Sequence, residues 1–156
     1  MTCKKNHSPW PPAARYVILM LLMLLAGQPM AYADSPPDSL FRGTYYDAEQ
    51  RIRLVINLYE ERVEVPGYSF IGPTHGYMNG NIYGIWIVTT CKLNADGTAT
   101  VKLSNDQGAD SQTIQLTPTP PGACLHYEAQ GGNEVKRVQG RKLVKIPGKL
   151  NFKRQE

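Results

Sequence analysis

The chain has 156 residues, of which 42% are hydrophobic and 19% charged, and a formal net charge of +4. A length of this order holds one domain with a substantial core, and so does not need the dense cross-linking of a disulfide mini-scaffold. The +4 gives a poor picture of the domain: Lys4, Lys5 and Arg15 sit at the extreme N-terminus, and the rest of the chain is close to neutral.

Those first basic residues precede an unbroken apolar run, Val17 to Leu25, followed by Ala31-Tyr32-Ala33. A basic start, a short apolar stretch and a small-x-small site predict a secretory signal peptide over residues 1–33, cleaved after Ala33. The run is shorter than the roughly 20 residues a spanning helix requires. The expected location is therefore the periplasm or the exterior, with no transmembrane anchor left after cleavage. Residues 34–41, rich in proline, serine and aspartate, read as a flexible lead-in, and residues 42–156 as a single domain.

From Arg42 the chain reads as short strands and turns. Ile52, Leu54, Ile56 and Leu58 alternate through Arg51 to Tyr59, the period of a strand with one buried face. Glu60-Glu61 predicts a tight turn into a strand at Arg62–Val65, ended by Pro66-Gly67. Asn79-Gly80, inside the glycine-rich 72–84 stretch, is a two-residue hairpin signal. Ile82 to Leu93 is apolar on both faces and predicts a central strand. Asn94–Gly97 turns the chain into a strand at Thr98–Leu103, and a loop at 105–110 leads to a strand at Ser111–Thr117. Pro118–Pro121 reads as a breaker before a strand near Cys124–Tyr127. Strands at Glu134–Val138 and Lys142–Ile146, a turn at Pro147-Gly148 and a strand at Lys149–Arg154 complete the chain.

No convincing helical period occurs in residues 34–156. Eight to ten strands joined mostly by short connections predict an all-β fold, either an antiparallel meander barrel (calycin-like) or a two-sheet sandwich. The barrel is preferred because it leaves no exposed edges. Gly43-Thr44-Tyr45 at the start of this meander resembles the opening strand of lipocalin- and avidin-like barrels; the likeness spans three residues, concerns the fold alone and identifies no family.

Cys91 and Cys124 are the only cysteines after residue 33. In an exported chain, two cysteines predict one disulfide. Their spacing fits neither a zinc site nor a redox Cys-x-x-Cys motif. His75 and His126 each stand alone, with no nucleophile elbow, no phosphate-cradling loop and no EF-hand spacing nearby. The expectation is a non-enzymatic protein with no metal or cofactor.

Aromatic residues concentrate between Tyr45 and Trp86. Their ordinary role is packing. As a binding surface, the loop from Gly67 to Gly84 and its surroundings nominate Tyr68, Phe70, His75, Tyr77, Tyr83 and Trp86. Residues 136–155 carry eight basic side chains and no acid. The preferred reading is a lysine-rich outward face that protects an edge strand. The alternative is a patch for an anionic partner, made by Lys136, Arg137, Arg141, Lys142, Lys145 and Lys149. Nucleic acid is disfavoured because no aromatic residue interleaves with the charges of residues 136–149.

Three functional expectations follow. The first is a secreted or periplasmic β-barrel binding protein for a small apolar or amphipathic ligand, or for a partner at its Tyr/Gly-rich loops. The second is an inhibitor or interaction protein for an extracellular or envelope enzyme. The third is an envelope-surface module that contacts anionic lipid or polysaccharide through a basic C-terminal hairpin.

Overall fold

The computed structural model describes residues 40–119 and 123–155. The predicted signal peptide and most of the predicted lead-in lie outside the described residues. Ten strands run in chain order: β1 (Arg42–Asp47), β2 (Ile52–Asn57), β3 (Gly76–Gly80), β4 (Trp86–Leu93), β5 (Ala99–Asn105), β6 (Ser111–Thr119), β7 (Cys124–Gly132), β8 (Lys136–Gln139), β9 (Lys142–Lys145) and β10 (Lys149–Gln155). Eight of them close into an antiparallel barrel in the order β1-β10-β7-β6-β5-β4-β3-β2, while β8 and β9 form a separate hairpin. The all-β meander barrel is thus the observed fold.

Alternation explains the barrel wall. Ile52, Leu54 and Ile56 of β2, Val101 and Leu103 of β5, Ile114 and Leu116 of β6, Leu125 and Tyr127 of β7, and Leu150 and Phe152 of β10 all point inward and are buried. Side chains of successive residues face opposite sides of a strand, so every second residue fills the interior. Tyr45, Met78 and Trp86 complete the filling, and Tyr127 meets Phe152 edge to face with ring centroids 6.2 Å apart. The barrel is small enough for side chains to pack its interior completely.

Antiparallel registers place the connections at two ends. The 48–51 turn, the 81–85 loop, the 106–110 loop and the 133–148 connection with its hairpin lie at one end, called here the hairpin end. Phe41, the two ends of the 58–75 loop and the 94–98 turn lie at the other, and the 58–75 loop runs back along the wall far enough for Tyr68 to reach Asp106 at the hairpin end. Phe41 is buried, Leu40 packs against the core, and the Tyr45 hydroxyl donates to the Leu40 carbonyl at 2.7 Å. The end of the predicted lead-in is therefore anchored in the core.

Several local expectations are corrected. Cys91 and Cys124 are free thiols, with no disulfide between them. Cys91 pairs with inward-facing Val101, whereas Cys124 precedes inward-facing Leu125 and so faces out. The two lie on β4 and β7, three strand spacings apart, roughly 14 Å along the sheet. A disulfide needs Cα atoms within about 7 Å.

Asn79-Gly80 is not the hairpin turn. Gly80 pairs with Ile52 inside β3, where an added Cβ would lie 2.5 Å from the Arg51 carbonyl oxygen, so close backbone approach is what requires glycine here. The turn falls at 81–85 instead, and β4 starts only at Trp86. Arg62–Val65 forms no strand, only a bridge between Val63 and Thr74. Pro118 lies within β6 rather than breaking it. It pairs with Leu125 on one side, beyond the last β5–β6 pair at Leu116, so its missing N–H leaves no ladder bond unmade.

Finally, Lys142–Lys145 pairs back onto Lys136–Gln139 across Gly140-Arg141, and Lys149–Gln155 returns to the barrel between β1 and β7. The basic C-terminal segment is thus divided between a hairpin and a wall strand, not gathered into one hairpin.

Candidate functional site at the hairpin-covered mouth

The β8–β9 hairpin stands over the hairpin end of the barrel on a fixed stem. Val135 and Ile146 flank it, are buried, and share a hydrogen bond from the Ile146 N–H to the Val135 carbonyl of 3.0 Å. The Tyr83 N–H donates to the Lys136 carbonyl at 2.7 Å, and Arg137 donates to the Gln50 side chain at 2.9 Å. These bonds tie the hairpin to two of the barrel's end loops.

Beneath the hairpin lies a crevice of about 70 Å³, whose walls include Tyr83, Trp86, Asn105, Asp110, Glu134 and Lys136. Leu143 of β9 also reaches it. Leu143 pairs directly with Val138, and Lys136 with Lys145, so these four share the hairpin face that borders the crevice. Tyr83, Val138 and Leu143 are exposed. The mouth therefore combines open apolar area with charge.

Its polar groups are unequally satisfied. Glu134 forms an ion pair with Lys145. Asn105 donates to the Tyr83 carbonyl at 2.8 Å and accepts the Gln107 N–H at 2.7 Å. Trp86 is only 2% exposed, and its indole N–H has no acceptor among the described residues. A buried indole N–H normally finds one, and leaving it unpaired costs about 1–3 kcal/mol. The side chains of Lys136 and Asp110 also make no ion pair or hydrogen bond among the described residues.

Asp106 supports this end. Its Oδ1 accepts the Ile85 N–H at 2.7 Å, and its Oδ2 accepts the Tyr68 hydroxyl and the Gln107 side chain. Burial opposes ionisation, but these hydrogen bonds outweigh it and hold the carboxyl below its ordinary value. The same bond to Asp106, helped by burial, raises the Tyr68 hydroxyl above its own. A Cβ on Gly84 would stand 2.3 Å from Asp106 Oδ1, and Gly84 has φ of 73°, so both space and backbone require glycine there.

The predicted aromatic set is thus divided. Tyr83 and Trp86 meet Lys136 at the mouth. Tyr68 pins the 58–75 loop to Asp106, and Phe70, 81% exposed, stands on that loop's 3-10 turn (Ser69–Ile71). Tyr77 is buried although it alternates with inward-facing Met78. His75 Nδ1 lies 3.1 Å from the Asn57 carbonyl and its Nε2 3.6 Å from Glu61, which occupies both ring nitrogens at the opposite end of the barrel. His126 lies 2.9 Å from the Asn151 side chain.

The predicted basic set is likewise divided: Lys149 pairs with Glu128 at 3.0 Å on the wall, while Arg141 and Lys142 lie at the hairpin tip. Among the described residues, no group of three or more His, Cys, Asp or Glu side chains is placed to hold a metal. Asn105, Gln107, Gly108, Asp110, Glu134 and Leu143 are the mouth residues that sequence reading does not nominate. Comparisons with family models, curated proteins and solved structures find no match to this chain.

Proposed function

We propose that the protein is an exported, non-enzymatic binding protein that takes a small amphipathic ligand at the mouth beneath the β8–β9 hairpin. The observation that carries this reading is a crevice that holds an ammonium, Lys136, and a carboxylate, Asp110, neither with a partner among the described residues. Polar groups of a ligand can partner these two charges, and Tyr83, Val138 and Leu143 supply apolar area for the rest of the molecule. Side chains fill the barrel interior, which favours the mouth over a calycin-type central cavity. Export is supported by the residue pattern of 1–33.

Native mass spectrometry on protein purified from its own cells tests this reading. A small molecule bound to the wild type and lost in Tyr83→Ala is expected. A ligand-free wild type overturns it.

A second reading, an inhibitor or interaction protein for an envelope or extracellular enzyme, is favoured by Phe70. That ring is 81% exposed on a loop held by the Tyr68–Asp106 bond, over a filled core. A co-purifying protein lost in Phe70→Ala supports it.

A further inference from the structure

We infer that the mouth ligand is a small zwitterion carrying both an ammonium and a carboxylate, the chemistry of a free α-amino acid. The inference rests on the mouth being a ligand site, and it deepens that reading by assigning the ligand's charges.

The charge inventory of the crevice leads there. Three charged side chains line it, and one of them, Glu134, is neutralised by Lys145. Lys136 and Asp110 remain, both half-buried and both lining the same crevice, with no ion pair between them. The residual charge of the lining is therefore zero but divided, one cation and one anion held apart. A simple anion would be attracted by Lys136 and repelled by Asp110, and a simple cation the reverse. A zwitterion satisfies both.

The two charges set the orientation: the ligand's carboxylate faces Lys136. A hydrogen bond to a charged group is worth more than a neutral one, most of all where water is excluded. The ligand's ammonium then faces Asp110, and its side chain lies toward Tyr83 and Leu143. A space of about 70 Å³ is several times the roughly 10–15 Å³ that one water-sized group occupies by the same measure, which suits the handful of heavy atoms in glycine or alanine.

The test uses the chain carrying Trp10→Phe, so that Trp86 is the sole indole whether or not residues 1–33 are removed. Glycine, L-alanine, acetate, methylammonium and octanoate are titrated against its emission and by calorimetry. Glycine or alanine is expected to bind about tenfold or more tighter than acetate or methylammonium. Lys136→Gln and Asp110→Asn are each expected to remove about that factor while leaving the circular dichroism unchanged.

Octanoate moving the Trp86 emission while the amino acids do not overturns the zwitterion and leaves the mouth reading standing. Amino-acid binding that neither variant weakens also overturns it, because the charges then lie elsewhere. Silence from every probe overturns both.

Discussion

Asp106 joins three segments through one carboxylate: the 81–85 loop by the Ile85 N–H, the 58–75 loop by the Tyr68 hydroxyl, and its own loop by Gln107. Sequence reading takes residues 105–110 as turn chemistry, because the partners of Asp106 stand 21 and 38 positions away and no local pattern points to them. The signal that exists is Gly84, whose positive φ leaves the space the carboxylate fills. Gly84→Ala is expected to cost about 1–3 kcal/mol at neutral pH, from backbone strain and displaced hydrogen bonds. Because these bonds hold the folded Asp106 below its ordinary value of 3.8, the stability they give is present above that value and is lost as pH falls through the lower, folded one. The gap between wild type and Gly84→Ala in denaturant midpoint should therefore narrow in strong acid. An equal gap at neutral and acid pH removes Asp106 from the account.

Among the elements, the seams of the barrel are unequal. β3 and β4 are joined only through Tyr77 with Ile87 and Met78 with Trp86, whereas β6 and β7 pair from Gln112 with Gly132 to Thr119 with Cys124, with one register shift between Thr113 and Ile114. The Tyr68–Asp106 bond crosses from the 58–75 loop to the loop after β5, near the weak seam. Amide hydrogen exchange should be faster in β3 and at Trp86–Val88 than in the central residues of β6 and β7, and faster again in β3 when Tyr68→Phe removes the bond. Uniform protection around the barrel would sink this prediction. The strands themselves were legible wherever one face alone is buried, as in β2, β5 and β10. Legibility failed where a second cause placed a residue. Gly80 is demanded by the approach of β2 rather than by a turn. The β8–β9 pairing goes unseen because Lys142–Lys145 suits either neighbour, and only closure of the barrel by Lys149–Gln155 leaves it to β8.

For the whole molecule, the sequence leaves barrel and sandwich open, since both are built from short strands and turns. Closure is decided by long-range pairing: β10 lies between β1 and β7, with Thr44 opposite Gln155 and Phe152 opposite Leu125. An up-and-down order puts every second connection at the same end, which is how the 81–85, 106–110 and 133–148 segments come to share one mouth. That parity makes the location of the mouth readable once the strands are counted, but not that the Trp86 N–H lacks an acceptor among the described residues. The barrel also decides the cysteines, because its wall separates an inward thiol from an outward one. Alkylation without reductant, mapped by mass spectrometry, should modify both Cys91 and Cys124 in the unfolded protein; a bridged peptide pair would refute the free-thiol assignment. The placement of β10 has one more consequence. A chain made from its N-terminus onward cannot complete the ring until β10, the last of the eight barrel strands in chain order, has been made. Until then β1 and β7 keep unpaired edges and the core lacks Leu150 and Phe152. Every nascent form that stops short of β10 is an open sheet that has not committed to its final shape, the condition in which a polypeptide can still be threaded or held by a chaperone.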